Sequence, residues 1–308
     1  MASLSVGGQL MFGRIAIIGV GLIGTSFALA IKRRSTSGSR TTIIGVDPDP
    51  QVLEQARQRG AIDIVGTMAQ AASADLVLLA VPVRQIPLVL DELMPHVAAH
   101  TVMMDAGSTK QDVIAAARLS LAERFPQFVA CHPIAGRERH GPLAADATLF
   151  DGKNVVLCRT PENTDAAVEI ARLAWQAAGA NVVDMPAATH DAVFAAVSHL
   201  PHMLAFALVD ELASRPNAKL LFAHAASGFR DFSRIASSSP EMWRDVALNN
   251  RDALLRELDA YQRRVAALRN MLERSDADAI EALMQRAQNA RERWLSGQLG
   301  AFNRDDGQ

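Results

Sequence analysis

Cysteine is almost missing from this chain: there are two in 308 residues, Cys131 and Cys158, in separate apolar segments. Two such residues make neither a disulfide framework nor a zinc ligand set, and they suit a reducing cytoplasm. Both read as small buried hydrophobes. An excess of one charge is missing too. Lys and Arg number 31 against 33 Asp and Glu, a net charge of -2, with no long basic run. That argues against a surface that neutralises nucleic-acid phosphates. The first thirteen residues lack a charged start followed by an apolar core, so no secretory signal is expected. No apolar run approaches the ~20 residues that cross a bilayer, so no membrane partner is expected. What is present is a composition of 49% hydrophobic and 21% charged residues. It supports a sizeable core, and the length suits roughly two domains.

The chain is organised around Arg14 to Ser26, RIAIIGVGLIGTS. Ile15-Ala16-Ile17-Ile18 is a short apolar strand, glycines follow at Gly19, Gly21 and Gly24, and a helical apolar pattern runs on to Ala30. This is G-x-G-x-x-G between a strand and a helix. Gly19 permits the tight turn, Gly21 lets a pyrophosphate approach the backbone, and Gly24 lets the helix lie against the strand. The phosphates would rest on the N–H groups at the helix start, at Leu22 and Ile23. A second strand, 41–46, ends in Asp47, 23 residues beyond Gly24, near the spacing of a carboxylate that holds a ribose hydroxyl. The bland alternative is a glycine-rich turn in another α/β protein.

Strands are predicted at 14–19, 41–46, 75–81, 101–105, 128–131, 154–158 and 181–184, the sixth as a hairpin-like or edge strand. Helices are predicted at 22–33, 50–59, 86–93, 107–123 and 164–178, with Ser108 as a candidate N-cap. The alternation indicates a doubly wound parallel sheet, whose ligands bind beyond the C-terminal strand ends. Gly19, Asp47, Val81, Pro82, Ser108 and His132 all fall there. From Pro186 the pattern turns helical, at 187–213, 217–228, 241–270 and 276–296. The expected organisation is a loose leader 1–13, an α/β dinucleotide-binding domain 14–185, an all-α domain 186–300 and a tail 301–308. The apolar stripe Leu254, Leu255, Leu258, Tyr261, Val265 and Leu268 suits packing on other helices or on a partner subunit.

Three clusters carry chemistry. In Cys131-His132-Pro133-Ile134-Ala135-Gly136-Arg137-Glu138 a histidine ends a buried strand, placed either to take a proton from a substrate hydroxyl or simply to sit satisfied in a loop. In Ser198-His199-Leu200-Pro201-His202 two histidines share a helix face. The neighbouring carboxylates form no recognisable metal set, so helix contacts or substrate binding are the readings, and no metal is expected. In Gly228-Phe229-Arg230-Asp231-Phe232-Ser233-Arg234-Ile235-Ala236 an arginine can grip a carboxylate, Arg234 rather than Arg230, or form a surface pair with Asp231.

In this order, GVGLIGTS, DAGSTK, HPIAGRE, SHLPH, GFRDFSRIA and the following Pro-Glu-Met-Trp run resemble the prephenate/arogenate (cyclohexadienyl) dehydrogenases of tyrosine biosynthesis, over roughly residues 14 to 255. The resemblance implies a Rossmann-type domain, a helical domain that forms a homodimer, and a cytoplasmic enzyme. The implied reaction is NAD-dependent oxidative decarboxylation of prephenate to 4-hydroxyphenylpyruvate, with arogenate as a further substrate. It implies His132 as catalytic histidine, Ser108 as its orienting serine, and His199 and His202 in the substrate pocket. Arg234 would bind a carboxylate, and Glu138 and Asp231 would gate the pocket. Asp47 favours NAD, with NADP less favoured because a carboxylate repels a 2′-phosphate, although Arg57 and Arg59 lie one helix away.

Two rivals remain. A β-hydroxyacid dehydrogenase would carry a catalytic lysine on the first long helix, and 186–213 has none. A non-catalytic NAD sensor would form no NADH. Where relatives resemble one another in a small hydroxyl residue between the glycine and glutamate, this chain has Arg137. We expect Arg137 to favour prephenate, whose side chain is a net anion, over zwitterionic arogenate. Arg137→Ser should therefore lower the ratio of kcat/KM for prephenate to that for arogenate, and an unchanged ratio would remove the argument.

Overall fold

The computed structural model describes residues 3–4, 10–34, 41–136 and 140–297. Strands β1 (Ser3–Leu4) and β2 (Leu10–Met11) pair as a short antiparallel ladder. The expected loose leader is therefore corrected: part of it is paired, and Phe12 is buried while its carbonyl accepts from Thr41 Oγ1. The apolar Leu10-Met11-Phe12 run was the cue.

The main sheet follows. It contains β3 (Arg14–Ile18), β4 (Thr42–Val46), β5 (Ile64–Val65), β6 (Leu76–Leu79), β7 (Val102–Asp105), β8 (Phe128–Pro133), β9 (Asn154–Cys158) and β10 (Asn181–Asp184). Their spatial order is β10-β9-β8-β7-β6-β3-β4-β5. All pairings are parallel except β8 with β9, where Cys131 faces Leu157. β9 is thus antiparallel as a hairpin would be, but it is not an edge strand, because β10 covers its outer side. β5 at the opposite edge, only Ile64-Val65, is too short to stand out as a strand in the sequence.

Alternation along β3 and β6 explains why their sequences are apolar throughout. Ile15, Ile17, Leu76 and Leu78 enter one core layer, and Ala16, Ile18, Val77 and Leu79 enter the other. Both faces are covered, as parallel strands require. On the first face lie α1 (Leu22–Arg34), α2 (Pro50–Gln58) and α6 (Asp165–Ala177), where Trp175 meets Phe27 and Phe150 edge-on at centroid distances of 5.0 and 5.3 Å. On the second lie α3 (Met68–Ala71), α4 (Ile86–Leu93) and α5 (Gln111–Leu121). Each large side chain so buried contributes about 1.5–3 kcal/mol.

The helical part begins with α7 (Ala187–Phe194), a π turn at Ala195–His199, and α8 (Leu200–Ala213). The helix expected over 187–213 is helical throughout but carries the π turn ahead of Pro201, which has no N–H to give and whose ring crowds the carbonyl one turn back. An 18-residue window within this 27-residue stretch has a mean hydropathy of 1.8, so by length and composition alone the stretch is long and apolar enough to cross a membrane. The expectation that no uninterrupted apolar run approaches ~20 residues holds here, because Thr189, His190, Asp191, Ser198, His199 and His202 break the stretch. Then come α9 (Ala218–Ala223), α10 (Ser227–Ser233), a 3₁₀ turn at Arg234–Ser237, α11 (Pro240–Asn249), α12 (Arg251–Glu273) and α13 (Ala277–Leu295). The helix expected over 241–270 breaks at Asn250, whose side chain turns inward. Residues 1–254 form one compact unit and 255–308 a second.

The closest approach in the sheet domain is at Gly24, where an added Cβ would stand 2.1 Å from the Gly19 carbonyl oxygen and 2.7 Å from Ile17 Cγ2. Gly24→Ala should destabilise the protein by about 1–3 kcal/mol, as overpacking does, and thermal unfolding measures it.

Candidate active site

Gly19 turns with φ +89°, and a Cβ there would lie 2.5 Å from the carbonyl oxygen of Ala80. The loop is therefore pressed against the end of β6, next to half-buried Val81 and exposed Pro82. At Gly21 nothing lies within 4 Å of an added Cβ. Leu22 and Ile23 open α1, and the Gly21 carbonyl accepts the Thr25 N–H. The result is an open glycine ledge before a helix N-terminus with no acid in its first turn, which fits a pyrophosphate. Asp47 accepts the N–H of Val20 at 3.1 Å and that of Asp49 at 3.0 Å, so its carboxylate sits beside the ledge. The two arginines weighed against its NAD preference have other partners. Arg57 pairs with Glu54, and Arg59 donates to the carbonyls of Leu143 and Ala145.

Two strands along, DAGSTK folds over a buried ion pair. Lys110 Nζ donates to Asp105 Oδ2 and to the Cys131 carbonyl at 2.8 Å, while Asp105 Oδ1 accepts the Cys131 N–H at 2.8 Å. Asp105 Oδ2 also accepts the Gly107 N–H. Both residues are 0% exposed. The tip of β8 is thus held at both backbone groups of the residue before His132.

Ser108 is half-buried in the loop after β7 but does not cap the next helix. α5 starts later, at Gln111, and Asp191 takes its first N–H groups, from Lys110 at 2.9 Å and Gln111 at 2.9 Å. A carboxylate facing a helix N-terminus binds more strongly than a hydroxyl. The same carboxylate bonds His190 Nδ1 at 2.8 Å, and His190 Nε2 bonds His132 Nδ1 at 2.8 Å. Phe194 meets the His132 ring edge-on at 4.9 Å. Burial, then His190, Lys110 and His199, hold His132 well below its ordinary pKa. His190 and Asp191 escaped the sequence reading, although a histidine and an aspartate inside an alanine-rich helix needed partners.

Asn250 fixes the next histidine. Its amide nitrogen donates to the Asp191 carbonyl at 2.8 Å, and lies 3.1 Å from His199 Nδ1. A carbonyl only accepts, so the amide orientation is set, and His199 Nδ1 must accept as well. The His199 proton then sits on Nε2, which is buried without a partner among the described residues. Burial brings this ring's pKa down to about 4. His202 donates Nδ1–H to the Ser198 carbonyl and stacks on Trp243 at 3.6 Å and 20°. The indole Nε1 of Trp243 is a second buried donor without an acceptor. Two such donors suit an oxygen-bearing ligand.

Asp231 is exposed on α10, and Arg234 is exposed in the 3₁₀ turn after it. Arg137 and Glu138 lie outside the described residues. Among the described residues no cluster of His, Cys, Asp and Glu is arranged to hold a metal ion.

Fold and site together define a Rossmann-type, dinucleotide-dependent oxidoreductase. The model of the prephenate dehydrogenase nucleotide-binding domain matches residues 27–184, and that of the prephenate dehydrogenase dimerization domain matches 186–286. A prephenate dehydrogenase of Bacillus subtilis is 36% identical over 94% of this chain and 78% of its own length. A cyclohexadienyl dehydrogenase of Zymomonas mobilis is 35% identical over 91% and 96%. A prephenate dehydrogenase of Aquifex aeolicus, solved with hydroxyphenyl propionate and NAD+, superposes with a TM-score of 0.84 at 31% identity, over 94% of this chain and 99% of that one. The chain belongs to the prephenate dehydrogenase family.

Removing one partner of a buried pair leaves the other charged and unsolvated. Lys110→Met should cost about 3–5 kcal/mol of stability, read from urea unfolding followed by circular dichroism.

Proposed function

We propose that the protein is an NAD-dependent prephenate dehydrogenase, forming 4-hydroxyphenylpyruvate and carbon dioxide. The observation that carries this reading is a convergence. The glycine ledge, Asp47, Pro82, Ser108 and His132 stand at the C-terminal ends of β3, β4, β6, β7 and β8, which are neighbours in the sheet. Bound NAD+ supplies the hydride acceptor. His132, neutral at ordinary pH, accepts a hydrogen bond from the ring hydroxyl and so favours departure of hydride from the carbon that bears it. Loss of carbon dioxide makes the ring aromatic, and the hydroxyl oxygen ends as the phenol oxygen. No proton is released overall, so His132 lends a lone pair and recovers it. The drive comes from aromatisation, and the protein supplies orientation and electrostatics.

In this proposal Ser108 orients the hydroxyl and His132, while His199, through its unpartnered Nε2–H, and His202 line the substrate pocket. Arg234 grips a carboxylate, Arg137 favours the anionic side chain, and Glu138 and Asp231 gate the entrance. Gly19, Gly21, Leu22, Ile23, Gly24, Val81 and Pro82 form the cofactor bed, and Asp47 selects NAD. Residues 14–185 form the dinucleotide domain and 186–300 the helical one. Tyr261, Val265, Met284 and Trp294, exposed on α12 and α13, together with the dimerization-domain match, support a homodimer through the C-terminal helices. The enzyme is proposed to work in the cytoplasm. The name of the Zymomonas mobilis relative supports arogenate as a further substrate.

Initial rates with prephenate or arogenate, each with NAD+ or NADP+, test the reading on a sample whose sedimentation should give the mass of two chains. NADH formation with prephenate is expected to be the fastest of the four. His132→Asn should lower kcat by about 10²–10⁴-fold with unchanged NAD+ affinity. An enzyme that binds NAD+ yet forms no NADH from either substrate would overturn the proposal.

A further inference from the structure

The chain of bonds from α5 through α7 to the tip of β8 settles where the protons lie. Asp191 is held by three donors: Lys110 N–H and His190 Nδ1 on Oδ1, and Gln111 N–H on Oδ2. Burial pushes its carboxyl up, but the His190 bond and the two backbone N–H groups outweigh this, and it titrates below its ordinary value. The group is a carboxylate and only accepts, so His190 Nδ1 carries the proton. His190 is itself kept neutral: burial lowers its pKa, Lys110 adds to this, and Asp191 offsets them in part. A neutral imidazole has one N–H, so His190 Nε2 is a bare lone pair. The nitrogen 2.8 Å from it, His132 Nδ1, must then be the donor. His132 is neutral as well, which leaves its Nε2 bare.

We propose that Asp191 is a positioning residue for the reaction. Acting through His190, it sets the His132 tautomer so that Nε2 always offers a lone pair to the substrate hydroxyl. The alternative is concrete. Were His190 free to turn its proton to Nε2, His132 Nδ1 would have to accept, and its own proton would move to Nε2. The site would then present a donor where the reaction needs an acceptor. One carboxylate two rings away decides between these states. Its role exceeds that of a helix cap. Ser108 and Thr109, both ordinary capping residues, stand in the loop before α5, yet the cap arrives from a helix 80 residues further on. Bonding α5 and His190 at once locks the carboxylate's rotation, so the tautomer follows from the packing of α7 against α5. The charged and titratable groups around His132 are His190 on α7, Lys110 at the start of α5 and His199 in the π turn, with Asp105 and Asp191 behind them.

The rate effect rests on the proposed function; the tautomer does not. In the intact protein labelled with ¹⁵N-histidine, long-range ¹H–¹⁵N correlation reads each ring's tautomer, with His132→Gln and His190→Gln assigning the peaks. Both rings should show Nδ1 protonated and Nε2 bare. In Asp191→Asn, His132 should populate the Nε2–H form. Where prephenate is turned over, kcat should fall by about 10²–10⁴-fold with KM changed less than threefold. The acid limb of kcat/KM should move to lower pH, because the carboxylate that favoured protonation of His190 is gone. Asp191→Glu should restore part of kcat. A wild-type His132 protonated on Nε2, or an Asp191→Asn protein with unaltered tautomer and kcat, would overturn the proposal whatever the substrate.

Discussion

Two charges that cannot leave each other hold this molecule's centre. Asp105 and Lys110 lie wholly out of water, where an unpaired charge would cost several kcal/mol. Each also bonds the backbone of Cys131, and Asp105 takes the Gly107 N–H as well. The tip of β8 therefore cannot shift without exposing an uncompensated ion. His132 is the next residue, and its position inherits that stiffness. Lys110 also lends its backbone N–H to Asp191, so the sheet ends and the first long helix share one residue as a joint. In the proposed role of His132, a rigid strand serves better than a free loop, because small errors in geometry cost large factors in rate.

The sheet was legible because its signals are local. Ile15 to Ile18 and Leu76 to Leu79 are apolar on both faces, Gly19 makes the turn with positive φ, and Gly24 lets α1 lie against β3. The site was half legible. His132, His199 and His202 stand out in sequence, and so does Asp47. His190, Asp191 and Asn250 do not, because their partners are 58, 80 and 59 residues away. Ser108 was misread as a cap for the same reason: nothing near it in the chain announces that a distant carboxylate takes the helix N-terminus. The break at Asn250 follows this pattern, since an asparagine inside a helical stretch reveals its inward bonds only once α7 is packed beside it.

Cofactor choice shows how a local reading needs its neighbours. Asp47 suggests NAD, and two arginines one helix away argue the other way on charge alone. Both have other partners: Arg59 donates to the carbonyls of Leu143 and Ala145, and Arg57 pairs with Glu54 at the surface. A guanidinium whose donors are already directed at carbonyls makes a poor ligand for a phosphate.

The π turn at Ala195–His199 also acts as a phase shifter. An α-helix advances about 100° per residue. In a continuous helix His202, twelve residues past His190, would point about 120° away from it. A π turn absorbs one extra residue, so the two act as though eleven apart, which brings them to within about 20°. His199 likewise moves from about 180° away to about 80°. One surplus residue, lodged ahead of Pro201, turns a rod with histidines scattered around its circumference into one that aims them toward a common side.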